Sequence, residues 1–220
     1  MKVLLTSGLR DLTQQTAAAP GNGIAGGFLV SSGGVTLFLY GDVMTGRGID
    51  PILPHPSNPG GACDGREAVR RSGGDVAALG RELGYEIPGQ QRAFAHRLIE
   101  LAGIDVVYGH SSHHPKGIEV YKDKLILYGC GDFLNDYEGI AGYEEFRSHL
   151  VLAYFLTLDS GSGHLLRLEM APFELKRFRL QQAAAADAAW LSDMLTREGR
   201  PQTVLDARNH LILSWRRKFL

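Results

Sequence analysis

Cysteine is nearly absent: Cys63 and Cys130 are the only two in 220 residues, which excludes a disulfide framework or a four-cysteine zinc knuckle and leaves both as free thiols. Charge of one sign is equally scarce. With 23 basic against 24 acidic residues the formal net charge is −1, and the lysines and arginines are scattered, so no footprint for nucleic acid or an anionic membrane is present. The one basic cluster, Arg216, Arg217 and Lys218 in the tail "SWRRKFL", reads as a frayed terminus. Apolar runs of membrane length are missing as well. The opening "MKVLLTSGLRDLTQ" meets Arg10 and Asp11 after a short apolar stretch, so neither a secretory leader nor a membrane span is expected and the cytoplasm is the default location. No G-x-S-x-G elbow occurs, and the Ser160–Gly163 stretch lacks the Lys-Ser/Thr and helix of a phosphate-binding loop. The expected partner is a small-molecule or polymer substrate, with the oligomeric state left open.

What is present is enough apolar material for a core, 44% of residues, in a chain whose length suits one domain, or one with an appendage. Residues 1–34, rich in Gly, Ala, Thr and Ser around "AAAPGNGIAGG", favour turns over packed elements and are set apart from a domain spanning 35–220. "VTLFLYGDVM" is a continuous apolar run ending in Gly41 and Asp42, the pattern of a strand buried on both faces. Residues 55–83 carry Pro, Gly, Asn and charges without periodicity and read as an atypical linker. "PGQQRAFAHRLIELAG" predicts a helix opened by Pro88 and closed by Gly103, with Phe94, Leu98, Leu101 and Ala102 on its apolar stripe. It leads into the strand "IDVVYG", half of a βαβ unit. Two hairpins follow, one turning at "KDK" and a longer one at Ser160–Gly163, then an alanine-rich helix before Gly199. The expected class is α/β, with an α+β tendency in the C-terminal half and helices packed on mixed sheets.

Chemistry concentrates in "VVYGHSSHHP", where His110, His113 and His114 follow an apolar strand. Imidazole nitrogens and a strand-end carboxylate such as Asp42 are the ligands that zinc, manganese and iron accept. Spacing leaves a metal site and a polar loop both open. His96 reads as a structural histidine of the helix, and His55, His149, His164 and His210 as surface or packing residues. Asp132, Asn135 and Asp136 in "GCGDFLNDYEG" either cap a turn or approach the site, and the turn reading is favoured by the clustered Gly, Asn and Asp.

Three of these stretches, "VTLFLYGDVMTGRGID", "GYEIPGQQRAFAHRLIELAGIDVVYGHSSHHPKGIEVYKDKLILYGCGDFLND" and the C-terminal "FELKRFRLQ" to "LILSW", resemble the CapA family of bacterial poly-γ-glutamate capsule biosynthesis proteins. That family's fold is similar to the calcineurin-like metallophosphoesterases. The resemblance implies a metallophosphoesterase-like sandwich and a metal-dependent phosphoesterase-type hydrolase. Its ligands would be Asp42, which matches the G-D-V-M carboxylate, and His110 and His113, which match G-H-x-x-H. They would hold a divalent transition metal, Mn, Fe or Zn, with a pair of ions in complete members. His114 has no counterpart. Between Asp50 and Leu83 the family's G-N-N-H and H-W-G type motifs are absent. A shortened member of reduced activity is therefore expected, with a non-catalytic binding or scaffold protein as the alternative.

Overall fold

The computed structural model describes residues 3–5, 28–31, 34–40, 42–43, 84–109, 112–135, 144–177 and 179–216, with only the backbone course for 3–5, 28–31 and 42–43. The linker 55–83, Cys63, His55, His110, Asp136 and the basic Arg217 and Lys218 lie outside these residues.

In chain order the strands are β1 (Val3–Leu5), β2 (Phe28–Ser31), β3 (Gly34–Tyr40), β4 (Asp42–Val43), β5 (Val106–Gly109), β6 (Ile118–Tyr121), β7 (Lys124–Leu127), β8 (Asp132–Leu134), β9 (Leu150–Asp159), β10 (Leu165–Lys176), β11 (Arg179–Gln182), β12 (Gln202–Leu205) and β13 (Leu211–Ser214). Helix α1 (Gly89–Ala102) precedes β5, and α2 (Ala185–Glu198) lies between β11 and β12. A four-stranded sheet runs β1-β5-β7-β6, and a seven-stranded sheet runs β12-β13-β10-β9-β3-β2 with β11 on β10. A third, two-stranded pair joins β4 to β8. Only β5/β7 and β4/β8 are parallel among these pairs; the rest are antiparallel. The architecture is a sheet-rich α/β fold with mixed sheets.

Alternation along the strands sets the layers. In β5, Val106 and Tyr108 point into a core shared with the seven-stranded sheet and α2, while Val107 points into a second core beneath α1. In β7, Leu125 and Leu127 take the first side and Ile126 the second. A strand covered on both faces has no solvated side to mark with polar residues, which explains the unbroken apolar reading of "VVY" and "LIL".

Four expectations need adjustment. β3 alternates between buried Val35, Leu37 and Leu39 and half-buried Thr36, Phe38 and Tyr40, so it is buried on one face only. It lies in an antiparallel sheet whose other face carries aromatic side chains, with Phe38 stacked on Phe155 at 5.0 Å between ring centroids. In α1 the buried residues are Gln91, Ala95, Leu98 and Ile99, and Leu101 is 70% exposed. The expected spacing is kept but begins three residues earlier, a rotation of roughly 60° about the helix axis. The small Ala95 fits against the sheet, which leaves the bulkier Phe94 at the margin of that core. Residues 1–34, expected to favour turns, supply β1 and β2 from the short runs "VLL" and "FLVS". The turn reading of Asp132 gives way to a role at the candidate site.

Other expectations hold. Gly103 closes α1 with a left-handed φ of 65°, and its N–H returns to the Leu98 carbonyl. Both hairpins form, the first with Lys122 and Asp123 at φ of 50° and 60° in its two-residue turn.

Candidate functional site

The loop that leaves β5 is pressed against the segment that leaves β7. Cys130 N–H donates to the Gly109 carbonyl at 2.9 Å, Lys116 N–H donates to the Gly129 carbonyl at 2.9 Å, and Pro115 and Cys130 form an isolated bridge. Close approach of these backbones requires glycine: at Gly131, with φ of 70°, a Cβ would lie 2.9 Å from the His114 carbonyl carbon. Ser112 Oγ–H donates to the His114 carbonyl at 2.7 Å. Within this tight turn His113 adopts a left-handed backbone, φ 59°, a conformation that histidine tolerates better than most residues.

That backbone delivers the His113 ring onto Asp132, with Nδ1 at 3.2 Å from both carboxylate oxygens. Of the two ring nitrogens, Nδ1 is therefore the one placed to donate to this carboxylate. Asp132 is fully buried, and the Asn135 Nδ2–H donates to its Oδ2 at 2.9 Å. Asp132 also opens β8, which pairs in parallel with β4 so that Asp42 and Asp132 are register partners. The strand-end carboxylate residue and the loop histidine, 71 positions apart by subtraction of 42 from 113, therefore meet at a common neighbour.

His114, next in sequence, has a different place. Its ring is buried between Phe146, stacked at 4.7 Å, and the edge of Tyr85 at 5.0 Å, and its Nε2–H donates to the Gly84 carbonyl at 3.3 Å. Burial pushes its pKa down to about 4, so the ring is neutral at pH 7. Burial likewise pushes the neighbouring Tyr85 phenol up to about 12. His114 plugs the gap between the start of α1 and the short 3-10 helix Glu144–Phe146, a packing role that agrees with its lack of a family counterpart.

Two further histidine–carboxylate pairs are structural. His96 Nε2 lies 3.1 Å from Glu119, its ring flat on Tyr121 at 3.7 Å, as expected for a helix histidine that packs. His210 Nδ1 lies 2.7 Å from Glu169 Oε1, and together with Asp206 these form the one group of three ligand-type side chains within 4.8 Å of one another among the described residues. The sequence reading of His210 as a surface or packing residue did not reach its partner Glu169, which is met only through β10/β13 pairing. The carboxylates there are already met by arginines: Arg167 and Arg208 bond Glu169, and Arg208 bonds Asp206. An entering cation would have to displace the guanidiniums, so this cluster reads as a salt-bridge network.

Among the described residues the β4/β8 corner offers one imidazole, His113, held by a carboxylate through Nδ1, the arrangement in which the other ring nitrogen could serve a metal of the zinc, manganese or iron type. Of the two readings the sequence left open for Asp132 and Asn135, turn cap or approach to the site, the less favoured one matches their place at this corner. The available signal was their position just past a hairpin whose second strand runs beside β5.

Comparisons with known proteins place this corner in context. Residues 76–137, which include His113, Asp132 and Asn135, match the family "Bacterial capsule synthesis protein PGA_cap". Over 131 residues the chain is 50% identical to a "Probable polyglutamine synthesis accessory protein" of Mycobacterium tuberculosis, in both the CDC 1551 / Oshkosh and H37Rv strains. The chain is related to the CapA family. The aligned region covers 58% of this CapA-related chain and 34% of the mycobacterial proteins, so the match spans about a third of their length. An uncharacterized protein of Sinorhizobium fredii is 44% identical over 46 residues, 21% of this chain and 10% of that protein. No helix of the described residues is long and apolar enough to cross a membrane.

Proposed function

We propose that this CapA-related chain is an accessory component of capsule or poly-γ-glutamate synthesis and acts as a metal-dependent phosphoesterase-type hydrolase. The observation that carries the reading is the His113 to Asp132 hydrogen bond, in which the carboxylate belongs to the backbone register partner of Asp42 and faces Nδ1 of the imidazole. Relationship to the capsule-synthesis family supports the process, and the G-D-V-M and G-H-x-x-H stretches support the chemistry.

Asp42, His110 and His113 would hold the ion, Mn, Fe or Zn. When bound, such an ion polarises a phosphoryl oxygen and lowers the pKa of a water, which is what phosphoester hydrolysis needs at neutral pH. The chain's own residues supply position and proton placement. Asp132 accepts from Asn135 and faces His113 Nδ1, and the glycine-mediated packing of residues 112–116 on 129–131 fixes the loop. The missing motifs between Asp50 and Leu83 favour activity below that of complete relatives.

The test is elemental analysis of the purified chain beside the His110→Ala/His113→Ala double variant, followed by hydrolysis of an aryl phosphodiester. Transition metal near one or two ions per chain, lost in the variant, is the expected result. A chain that takes up no metal from Mn²⁺, Fe²⁺ or Zn²⁺ overturns the hydrolase reading and leaves a binding or scaffold protein.

A further inference from the structure

We propose that Asp132 is the positioning residue of the corner: it is not a ligand but holds His113 in the one tautomer that can ligate, and it ties that histidine to the strand bearing Asp42. This inference rests on the hydrolase reading above and adds a residue outside its ligand set.

Three observations separate this role from that of a ligand or a turn cap. First, the two Asp132 oxygens are equidistant from His113 Nδ1, at 3.2 Å each, and Oδ2 also accepts from Asn135 at 2.9 Å. The carboxylate is thus engaged from the His113 side and from its own strand's end. Second, Asp132 is fully buried whereas the His113 side chain is 29% exposed, so of the two the histidine is the one with surface open to solvent. Third, the strained φ of 59° at His113 and the parallel pairing of Asp132 with Asp42 are independent backbone features, and both converge on the same carboxylate.

The chemical consequence concerns the tautomer. A neutral imidazole in water divides its proton between Nδ1 and Nε2, and only one form leaves the Nε2 lone pair available. A carboxylate against Nδ1 selects that form, fixes the ring's rotation and raises the basicity of Nε2. Asn135 contributes one step further out: its N–H orients Asp132 as Asp132 orients His113.

The experiment has two arms on the full chain. In the metal-free protein, ring nitrogen shifts by NMR above the histidine titration range report the His113 tautomer. In the second arm Zn²⁺ is titrated against a chromophoric chelator for wild type, Asp132→Asn, His113→Ala and the double variant, with circular dichroism confirming that each folds. Expected results are an Nδ1–H tautomer in wild type, a mixture in Asp132→Asn, and a Zn²⁺ affinity lower by about 10–100-fold in Asp132→Asn. That loss should vanish in the His113→Ala background, because a residue acting only through His113 has nothing left to position.

A wild-type ring protonated on Nε2 overturns the proposal without any variant. So does an Asp132→Asn loss that persists in full when His113 is already alanine, which would make Asp132 a ligand in its own right. If wild type has the Nδ1–H tautomer but takes up no Zn²⁺, Mn²⁺ or Fe²⁺, the hydrolase reading falls, and Asp132 is reduced to a structural partner of the loop.

Discussion

His96–Glu119 and His113–Asp132 are both imidazole–carboxylate pairs with the carboxylate fully buried, yet the two corners are built for different ends. Glu119 lies between α1 and the end of α2 and gathers Arg92, His96, Arg200 and the Tyr128 phenol, which donates at 2.8 Å. Its histidine is pinned on both sides, by the carboxylate at Nε2 and by the Tyr121 ring on its face. Asp132 accepts from an imidazole and a carboxamide, and its histidine is part-buried on a loop with a left-handed backbone. The first corner surrounds one negative charge with cationic and hydroxyl donors and binds elements together. In the second the carboxylate backs a histidine whose ring stands part-exposed. A histidine–carboxylate contact is therefore not a functional signal by itself; what surrounds the carboxylate decides.

The largest effect that separates the corners is on stability. Glu119→Ala leaves Arg92 and Arg200 facing a buried gap and should cost roughly 3 kcal/mol, read as a lower urea midpoint at unchanged slope. Metal affinity should not move with it. If Glu119→Ala folds as well as wild type, the anchoring role assigned to that corner is wrong.

Acid sensitivity sharpens the comparison next. Burial alone would push the Glu119 carboxyl up, but the hydrogen bonds from Tyr128 and His96 and the charges of Arg92 and Arg200 outweigh it and hold the carboxyl below its ordinary 4.5. A lowered folded value means that this contribution is complete above pH 4.5 and is lost as the pH falls from there through the folded value. Urea midpoints measured downward from pH 5 should decline for wild type and decline less for Glu119→Gln. Equal slopes would show that Glu119 titrates alike in both states.

The smallest effect belongs to the third pair. His210–Glu169 is surrounded by Arg167 and Arg208 at the surface, and Arg208→Ala should change stability by less than about 1 kcal/mol, since exposed ion pairs are screened and cost side-chain freedom. The Arg208→Ala protein should also bind no Zn²⁺ at this cluster. Stoichiometric uptake there would identify a second metal centre that the guanidiniums mask.

Much of the fold could be read from order and periodicity. Apolar runs bounded by turn residues marked β5, β6, β7, β9 and β10, and Pro88 and Gly103 marked the ends of α1, because these signals act within a few residues of chain. The facing of α1 was legible only in its spacing. Which of two stripes offset by three residues is buried depends on the shape of the sheet beneath, and there Ala95 fits where Phe94 does not.

For the site, residue type and local motif singled out His113, and the likeness of its loop to G-H-x-x-H gave that histidine a candidate role. Tertiary structure alone separated His113 from His114, adjacent in sequence: one donates to a buried carboxylate, the other is sealed between two aromatic rings. It alone also turned Asp132 from a turn residue into the link between His113 and Asp42, because that link is a parallel strand pairing across 90 positions, 132 less 42. Periodicity and motif spacing carry information along the chain, whereas a hydrogen bond to a buried carboxylate depends on register and approach between segments, which no local pattern encodes.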